Sequence, residues 1–211
     1  MNSTQIKAAL LQYYRYDRQY KMVALESQHF HNADVVCVNN RGWIIETEVK
    51  ISIADLKVDI NKSKHGVLRR DWLVYHPEEE PLLHEHKWGY TSAPYLGKYY
   101  TYNGHEFYFA IPEELALDAS AIRNTYYPYA GLMLIRPEPC TYSLSMFGIR
   151  IASQAYHFTK PKADIKFLTS LVKDQSATLT RLAVENCKLI EANGKVNHNF
   201  ESPSGGEEKN E

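Results

Sequence analysis

The chain has 211 residues, with 24 basic and 25 acidic side chains, a formal net charge of −1 and a pI near 6.8. Because these charges balance, composition gives no global electrostatic argument for a nucleic-acid partner, so any such argument must come from a local patch. The length suits a single domain with a substantial core, and the composition excludes a collagen, a disulfide scaffold and a largely disordered chain.

The cysteines and the N-terminus bear on cellular location. Three widely spaced cysteines, Cys37, Cys140 and Cys187, are typical of a reducing compartment and form no zinc-ribbon or redox motif. The N-terminus lacks the basic and apolar pattern of a signal peptide, and no apolar run approaches the ~20 residues that span a bilayer. We therefore expect a cytoplasmic protein with no membrane partner.

The N-terminal region predicts one helix followed by three strands. Apolar residues at helical spacing, among them Ile6, Ala9 and Leu10, indicate a helix over residues 4–20. The strands that follow are predicted, in order, at "KMVALES", "ADVVCV" and "WIIETEVKIS". Since only a short polar turn separates the last two, we expect them to form a hairpin.

The turn of this hairpin predicts its register. The Asn-Arg-Gly sequence at residues 40–42 suits a three-residue loop with glycine in the left-handed conformation. Such a loop pairs Asn39 with Trp43 and, in antiparallel register, places Asp34 opposite Glu48 on the same face. Their Cβ atoms would then lie roughly 5 Å apart.

The last strand of the hairpin has one apolar and one charged face. Alternation assigns to the core a set of five residues, Trp43, Ile45, Thr47, Val49 and Ile51. The other face, which we do not assign to the core, carries Ile44, Glu46, Glu48 and Lys50. Carboxylates that face each other across a sheet are destabilising, so this face needs solvent, a slipped register or a cation such as Mg²⁺.

The next segment predicts a two-sided helix. An S-x-x-D start at residues 52–55 and a stop at Gly66 indicate a helix over residues 52–65. Its apolar stripe is Ile53, Leu56 and Ile60. Its other side carries Lys57, Asn61, Lys64 and His65, with Lys62 beside them. This side is either a solvated surface or a surface that contacts phosphate.

The C-terminal half is predicted to complete one domain over residues 1–199. Prolines and glycines make residues 71–104 a loop-rich insertion. In it His84 and His86 could ligate a metal, but two histidines without a third nearby ligand are more typical of a surface. Then come a strand at "HEFYFAIP", a short helix near residues 120–124 and a strand at "AGLMLIR", which suggests a parallel pair. Edge strands at "SMFGIRIASQAYHF", a long helix over about residues 163–193 and a disordered tail over residues 200–211 follow.

The chain is also rich in tyrosine. Eight of its sixteen tyrosines crowd into "YLGKYYTYNGHEFYF" and "NTYYPYAG". Aromatic side chains in such numbers can stack on bases, but packing in the core is the favoured interpretation.

The order of these elements resembles the PD-(D/E)XK nuclease superfamily, and more closely the MmcB-like DNA-repair group with its phage and prophage relatives. The resemblance is carried, in the family's order, by "ADVVCV", "ETEVKIS", "ADLKVDINKSKH", "FYFAIPEEL" and "YYPYAGLMLI", and it covers about residues 33–135. The chain departs from the family in having Ala33 in place of proline and a longer segment at residues 71–104. The resemblance implies an α/β fold with a restriction-endonuclease-like αβββαβ core, in which helices flank a mixed sheet, plus the insertion and the long C-terminal helix.

The resemblance also implies roles for individual residues. Asp34 and Glu48 would ligate a catalytic Mg²⁺ or Mn²⁺ together with the main-chain carbonyl of Val49, and Lys50 would orient or activate the attacking water. Further candidates as metal ligands are Glu46 and Glu26. The residues implied to contact nucleic acid are Lys57, Lys62, Lys64 and His65.

Three functions follow as hypotheses. The first is a metal-dependent nuclease that hydrolyses phosphodiester bonds of DNA or another nucleic acid, in DNA repair or in a phage or mobile element. The second is a nucleic-acid-binding protein of the same fold without turnover. The third is an assembly module whose charged face is solvated and whose long C-terminal helix mediates oligomerisation. Oligomeric state is left open, and a homodimer is compatible with the sequence.

Overall fold

Six strands form one mixed sheet in the order β1-β2-β3-β4-β5-β6 in the computed structural model, which describes residues 1–28, 30–79, 102–138 and 147–198. The strands are Met22–Ser27 (β1), Ala33–Val38 (β2), Ile44–Val49 (β3), Glu106–Pro112 (β4), Gly131–Pro137 (β5) and Phe147–Ser153 (β6). β3, β4 and β5 run parallel, and the other neighbouring pairs are antiparallel. The mixed sheet, the parallel pair and the edge strand are therefore confirmed. His84, His86, Cys140 and the tail over residues 200–211 lie outside the described residues.

Five α-helices flank the sheet in the described part of the chain. They are Ser3–Gln12 (α1), Ile53–Val58 (α2), Ser63–Leu73 (α3), Ala116–Tyr126 (α4) and Ile165–His198 (α5). α1 begins at a capping box made by Asn2 and Gln5 and continues into a π-helical turn, Tyr13–Asp17. α4 is longer than the predicted helix near residues 120–124. The predicted order of helix, three strands, helix and strand is confirmed, and the α/β fold with it.

The sheet has a hydrophobic core on each face. One core packs α1 against β2, β3, β4 and β5 through residues such as Leu10, Tyr14 and Ile45. The other packs α2, α3 and α4 against the opposite face, and it also contains Leu171 of α5. α5 lies along β1, where Ser27 donates a hydrogen bond to Asp174 at 2.6 Å. In the described residues no helix combines the length and apolarity needed to cross a membrane.

The predicted register of the β2–β3 hairpin is confirmed. Val35 pairs with Thr47, and the amide of Asn39 donates to the carbonyl of Trp43 at 3.0 Å, so the loop has three residues. Gly42 is left-handed with φ 83°. The side chain of Asn39 accepts hydrogen bonds from two main-chain amides of the turn, which fixes the loop.

Gly42→Ala is expected to lower the free energy of unfolding by about 1–2 kcal/mol, because a Cβ is disfavoured at positive φ. A Cβ at this position would lie 3.4 Å from the nearest atom of Lys162, an ordinary contact, so the backbone alone is responsible. Denaturant unfolding measures the loss, with Gly42→Asn as the control that tolerates this conformation and loses less. Equal stability of wild type and Gly42→Ala would contradict the turn.

The predicted helix over residues 52–65 is wrong beyond its start. Ser52 caps α2 as expected, accepting from the amide of Asp55 at 3.1 Å. The chain then forms a 3₁₀ turn, Asp59–Asn61, passes through an extended Lys62 (φ −70°, ψ 136°) and enters α3. Asp and Asn favour such turns through side-chain hydrogen bonds with the backbone. The break redirects the basic residues that follow, and Gly66 lies inside α3 rather than at a stop.

Two further expectations have definite outcomes. The beginning of the predicted insertion is helical, because α3 extends to Leu73 and a 3₁₀ turn covers Pro77–Glu79. Packing of tyrosines in the core is confirmed for Tyr102, Tyr127 and Tyr129, each almost completely buried. Cys37 and Cys187 are free thiols.

Candidate functional site

Seven ionisable side chains gather on the α3 side of the sheet, at the C-terminal end of β3. This charged cluster consists of Glu46, Glu48, Lys50, Asp59, Lys62, Lys64 and His65. All except Lys62 are at most 3% exposed. The expectation that this face of β3 lies outside the core is therefore wrong. β3 is a central strand, paired on both edges, and α3 covers the face that carries the charges.

Lys64 lies between the two glutamates of β3. Its Nζ is 2.6 Å from Glu46 Oε1 and also contacts Glu48 Oε1. Alternation along β3 puts both glutamates on one face, and the first turn of α3 brings the ammonium group to them. Burial opposes the charge on Lys64, but the two carboxylates outweigh it and raise its pKa. Two buried carboxylates thus share one cation.

The two glutamates differ in how strongly they ionise. Burial raises the pKa of Glu46 to about 7, against the attraction of Lys64. Burial acts in the same direction on Glu48, but Lys64 and Lys62 outweigh it and hold the pKa of Glu48 below its usual range. Glu46 Oε2 has no hydrogen bond of normal geometry within the described residues. Glu48 is therefore the charged member of the pair, and Glu46 retains an acceptor oxygen.

Asp59 gathers the remaining members of the charged cluster. Its Oδ1 is 2.5 Å from Lys50 Nζ and 2.6 Å from Lys62 Nζ, and Lys50 Nζ also lies 3.7 Å from Glu48 Oε2. Burial disfavours ionised Asp59, yet the bonds from His65 and Lys50 hold the pKa of Asp59 well below its usual range. Lys62 links the acids too, at 3.0 Å from Glu48 Oε2. Lys50 is thus held beside Glu48 by Asp59.

His65 joins the charged cluster to the aromatic core. Its Nε2 is 2.6 Å from Asp59 Oδ2, and its Nδ1 is 2.8 Å from the hydroxyl of Tyr129. Burial lowers the pKa of His65, which favours the neutral ring. Because a carboxylate only accepts, the neutral ring donates from Nε2 to Asp59 and accepts from Tyr129 at Nδ1. His65 is consequently a fixed positioning group for Asp59.

Asp34 occupies a separate ion-pair group. Its Oδ2 accepts from the amide of Val49 at 2.9 Å, and its Oδ1 lies 2.8 Å from Nζ of Lys7. Lys7 also pairs with Glu26 at 3.3 Å, and Glu26 pairs with Arg181. The Asp34 carboxylate thus takes a main-chain donor at the end of β3. Glu26 is an exposed β1 residue held by two cations.

The metal site expected at Asp34 and Glu48 is not preformed. No three side chains of His, Cys, Asp or Glu come together in a geometry that could hold a metal ion, as far as the described ranges extend. The carboxylates are bound instead by lysines, Lys7 for Asp34 and Lys62 and Lys64 for Glu48. The chemistry of the donor set nevertheless suits a hard cation, since the side chains of Asp34, Glu46 and Glu48 offer oxygen ligands only.

The basic helix side expected to contact nucleic acid is not a continuous surface. Lys57 is exposed and the side chain of Lys62 is 48% exposed. Lys64 and His65 are buried, so their assignment as residues of an open phosphate-contacting helix side is wrong for this conformation. The extended backbone at Lys62 turns them toward the sheet. Of these four residues, Lys57 and Lys62 remain accessible to a nucleic acid.

Sequence reasoning missed four residues of the site: Lys7, Asp59, Tyr102 and Tyr129. Asp59 has no special position in the predicted helical spacing, and its role appears only because the α-helix ends at Val58 and the backbone becomes extended at Lys62. Lys7 and Tyr129 reach the site through contacts distant in sequence. Tyr102 lies near Glu46, whose charge adds to burial in raising the pKa of Tyr102. The Asp-Ile-Asn turn signal at residues 59–61 is the one local hint.

Comparisons with known proteins add little to this geometry. No protein-family model and no curated protein matches the chain. A solved structure of a protein of unknown function from Silicibacter pomeroyi is similar at 12% sequence identity, covering 87% of this chain and 90% of that chain with a TM-score of 0.46.

Proposed function

We propose that the chain is a metal-dependent nuclease of the PD-(D/E)XK type that hydrolyses phosphodiester bonds of DNA. The observation that supports this most is the sharing of one ammonium group by the buried carboxylates of Glu46 and Glu48. A strand end that holds a cation between two acids has the charge and ligand type for a divalent ion. Asp34 lies in the adjacent strand β2, and Lys50 follows Glu48 by two residues. In this proposal these two residues complete the PD-(D/E)XK pattern.

In this proposal Asp34, Glu48 and the carbonyl of Val49 hold Mg²⁺ or Mn²⁺, with Glu46 as a further ligand. When bound, the ion would polarise the phosphodiester and lower the pKa of a bound water. Lys62 and Lys64 neutralise these acids in the absence of an ion, which keeps buried carboxylates from repelling each other. Ion binding therefore competes with the ammonium group of Lys64.

Lys50 is the residue that would act on the reacting groups. Its ammonium group lies 3.7 Å from Glu48 and is fixed by Asp59, so it presents a positive charge beside the proposed ligands. A positioned charge of this kind holds an attacking water and offsets the negative charge that develops on the phosphate. A series of hydrogen bonds from Lys50 through Asp59 and His65 to Tyr129 keeps that charge in place.

A second function, binding of nucleic acid without turnover, is favoured by one observation. Asp34 is engaged by Lys7 and by the amide of Val49 rather than by a site shared with Glu48. A protein that kept the fold and lost the chemistry would have this arrangement. The third hypothesis, an assembly module with a solvated charged face, loses its premise because that face is buried.

The test is a screen of end-labelled single-stranded, duplex and branched DNA, and of RNA, with Mg²⁺ or Mn²⁺ and with EDTA. We expect at least one DNA substrate to be cleaved with a divalent ion and none with EDTA, because the acids alone cannot activate water. Glu185→Gln, which changes an exposed acid of α5, is the control and should cleave like wild type. Binding of these substrates without cleavage would support the second function instead.

A further inference from the structure

A cavity of about 440 Å³ lies on the α1 side of the sheet, at the turn end of the β2–β3 hairpin. It is surrounded by the π-helical turn after α1, the hairpin turn, the start of β4 and the residues at the end of β6. Its volume is in the range of sites for small molecules. The charged cluster lies on the opposite face, because Glu46 and Glu48 alternate with Ile45, which lines the cavity. The cavity is therefore a separate site.

One wall of the cavity is aromatic and is built by the π-helical turn. This turn is closed by the amide of Arg18, which donates to the carbonyl of Tyr13 at 2.8 Å. The rings of Tyr14 and Tyr20 stack with centroids 5.5 Å apart, and Tyr13 packs edge-on against Tyr14. Single π turns occur frequently at functional sites. Here Tyr13 and Tyr14 of the turn, together with Tyr20 after it, line the cavity.

The opposite wall carries Trp43. Its ring lies 4.1 Å from the ring of His157, and the guanidinium group of Arg41 lies over it at 4.9 Å from the ring centroid. The Asn39 side chain, which organises the hairpin turn, fixes the position of Arg41 and Trp43 through their amides. A rigid turn thus presents an indole and an arginine to the cavity.

Two cations at the cavity have no acidic partner. Arg18 contacts the rings of Tyr13 and Tyr20 at 5.9 and 6.0 Å, and Arg41 contacts Trp43. Neither guanidinium group forms a salt bridge with a described residue. Both arginines are exposed at the rim. Arg18 also has a side-chain hydrogen bond with Tyr20. The N–H donors that remain on the two guanidinium groups can bind an anion, and phosphate is the anion that matches their planar fork.

Part of the cavity lining is polar, beside the apolar side chains of Ile45, Met133 and Ile151. Tyr108 donates from its hydroxyl to Gln154 Oε1 at 3.0 Å and lies 3.4 Å from Glu106 Oε2. Glu106 also contacts His157 at 3.3 Å, and its side chain is 20% exposed. A carboxylate among aromatic side chains accepts hydrogen bonds from ring N–H and amino groups. The cavity thus combines stacking surfaces, anion donors and an acceptor.

We propose that this cavity binds a nucleotide, whose base stacks on the tyrosine wall or on Trp43 and whose phosphate pairs with Arg18 and Arg41. Stacking on aromatic side chains accepts any base, and Glu106 favours bases that present an amino group on their edge. A neutral sugar would use the aromatic rings but would leave both cations unpaired. The nucleotide is either free or one unit of a single strand, and the two share this chemistry. The proposal is independent of nuclease activity.

Calorimetry with GMP, guanosine, inorganic phosphate and a short single-stranded DNA tests the proposal. We expect GMP or the DNA to bind. The affinity for guanosine should be at least tenfold lower than that for GMP, and the affinity for phosphate alone should also be low, because the base and the anion both contribute. Binding of GMP identifies a free nucleotide as sufficient, whereas binding of the DNA alone identifies a strand.

Variants separate this cavity from other basic surface. Arg18→Gln and Arg41→Gln should each weaken binding about tenfold, since each removes a charge-assisted bond to phosphate. Arg136→Gln, an exposed arginine of β5, is the matched control and should bind like wild type. The proposal is overturned if neither GMP nor the DNA binds, or if the double variant of Arg18 and Arg41 binds as tightly as wild type with an unchanged melting temperature.

Discussion

Lys50→Met should lower the rate of DNA cleavage by orders of magnitude while substrate affinity changes within a few-fold. The ammonium group of Lys50 lies beside Glu48, where the proposal places the metal and the attacking water. A charge that acts mainly in the transition state changes turnover and leaves ground-state binding nearly intact. Methionine keeps much of the shape of the buried stem. Turnover, affinity for DNA in Ca²⁺ and melting temperature are measured on the same preparations.

The alternative for Lys50 is a purely structural partner of Asp59. Asp59 retains Lys62 and His65 in the variant, so the cluster keeps most of its compensation and the protein should fold. Lys173→Met, which removes an exposed lysine of α5 outside the charged cluster, is the control and should retain most of the rate. A Lys50→Met protein that melts early but cleaves at near wild-type rate when folded would overturn the catalytic assignment.

The second large effect is expected for Lys64→Met, measured without metal. Removal of the ammonium group leaves Glu46 and Glu48 facing each other in the core, and breaking a buried ion pair by removing one partner costs about 3–5 kcal/mol. A divalent ion can replace the lost charge, so Mn²⁺ should raise the melting temperature of this variant far more than that of wild type. Thermal unfolding with and without Mn²⁺ measures both effects.

Lys64→Met distinguishes a cation site from an ordinary buried ion pair. Lys62→Met serves as the control, because the side chain of Lys62 is 48% exposed and both glutamates keep Lys64 in this variant, so a smaller loss of stability is expected. If Mn²⁺ stabilises Lys64→Met no more than wild type, then Glu46 and Glu48 do not hold a divalent ion. That result would favour binding without turnover.

The hairpin register was predictable because it depends on local chemistry. A left-handed Gly42 and a three-residue loop determine the pairing of β2 with β3, and no distant contact is needed. The strands and their order followed for the same reason, from short apolar segments and the turns between them. Asp34 therefore lies at the start of β2, as the register requires, but its carboxylate contacts Lys7 of α1 and does not share a site with Glu48.

The environment of the charged residues depended on contacts that no local pattern reveals. β3 is buried on both faces because β4, about sixty residues later, pairs with its free edge and α3 covers Glu46 and Glu48. Alternation alone could assign only one face to the core. The 3₁₀ turn and the extended backbone at Lys62 are not visible in the helical spacing of the sequence. These two features turned a predicted solvent-facing helix side into a buried ion-pair network.

Cleavage of labelled DNA with Mn²⁺ by wild type and Asp34→Asn tests the proposed nuclease most directly. The amide oxygen of asparagine can still accept a hydrogen bond from the amide of Val49, and Lys7 retains its ion pair with Glu26. Because the side chain of Asp34 is also 25% exposed, the variant should fold. The proposal predicts cleavage by wild type, at least a hundredfold slower cleavage by Asp34→Asn, and weaker Mn²⁺ binding by calorimetry. Equal rates for the two proteins, or binding of DNA with no cleavage by either, would contradict it.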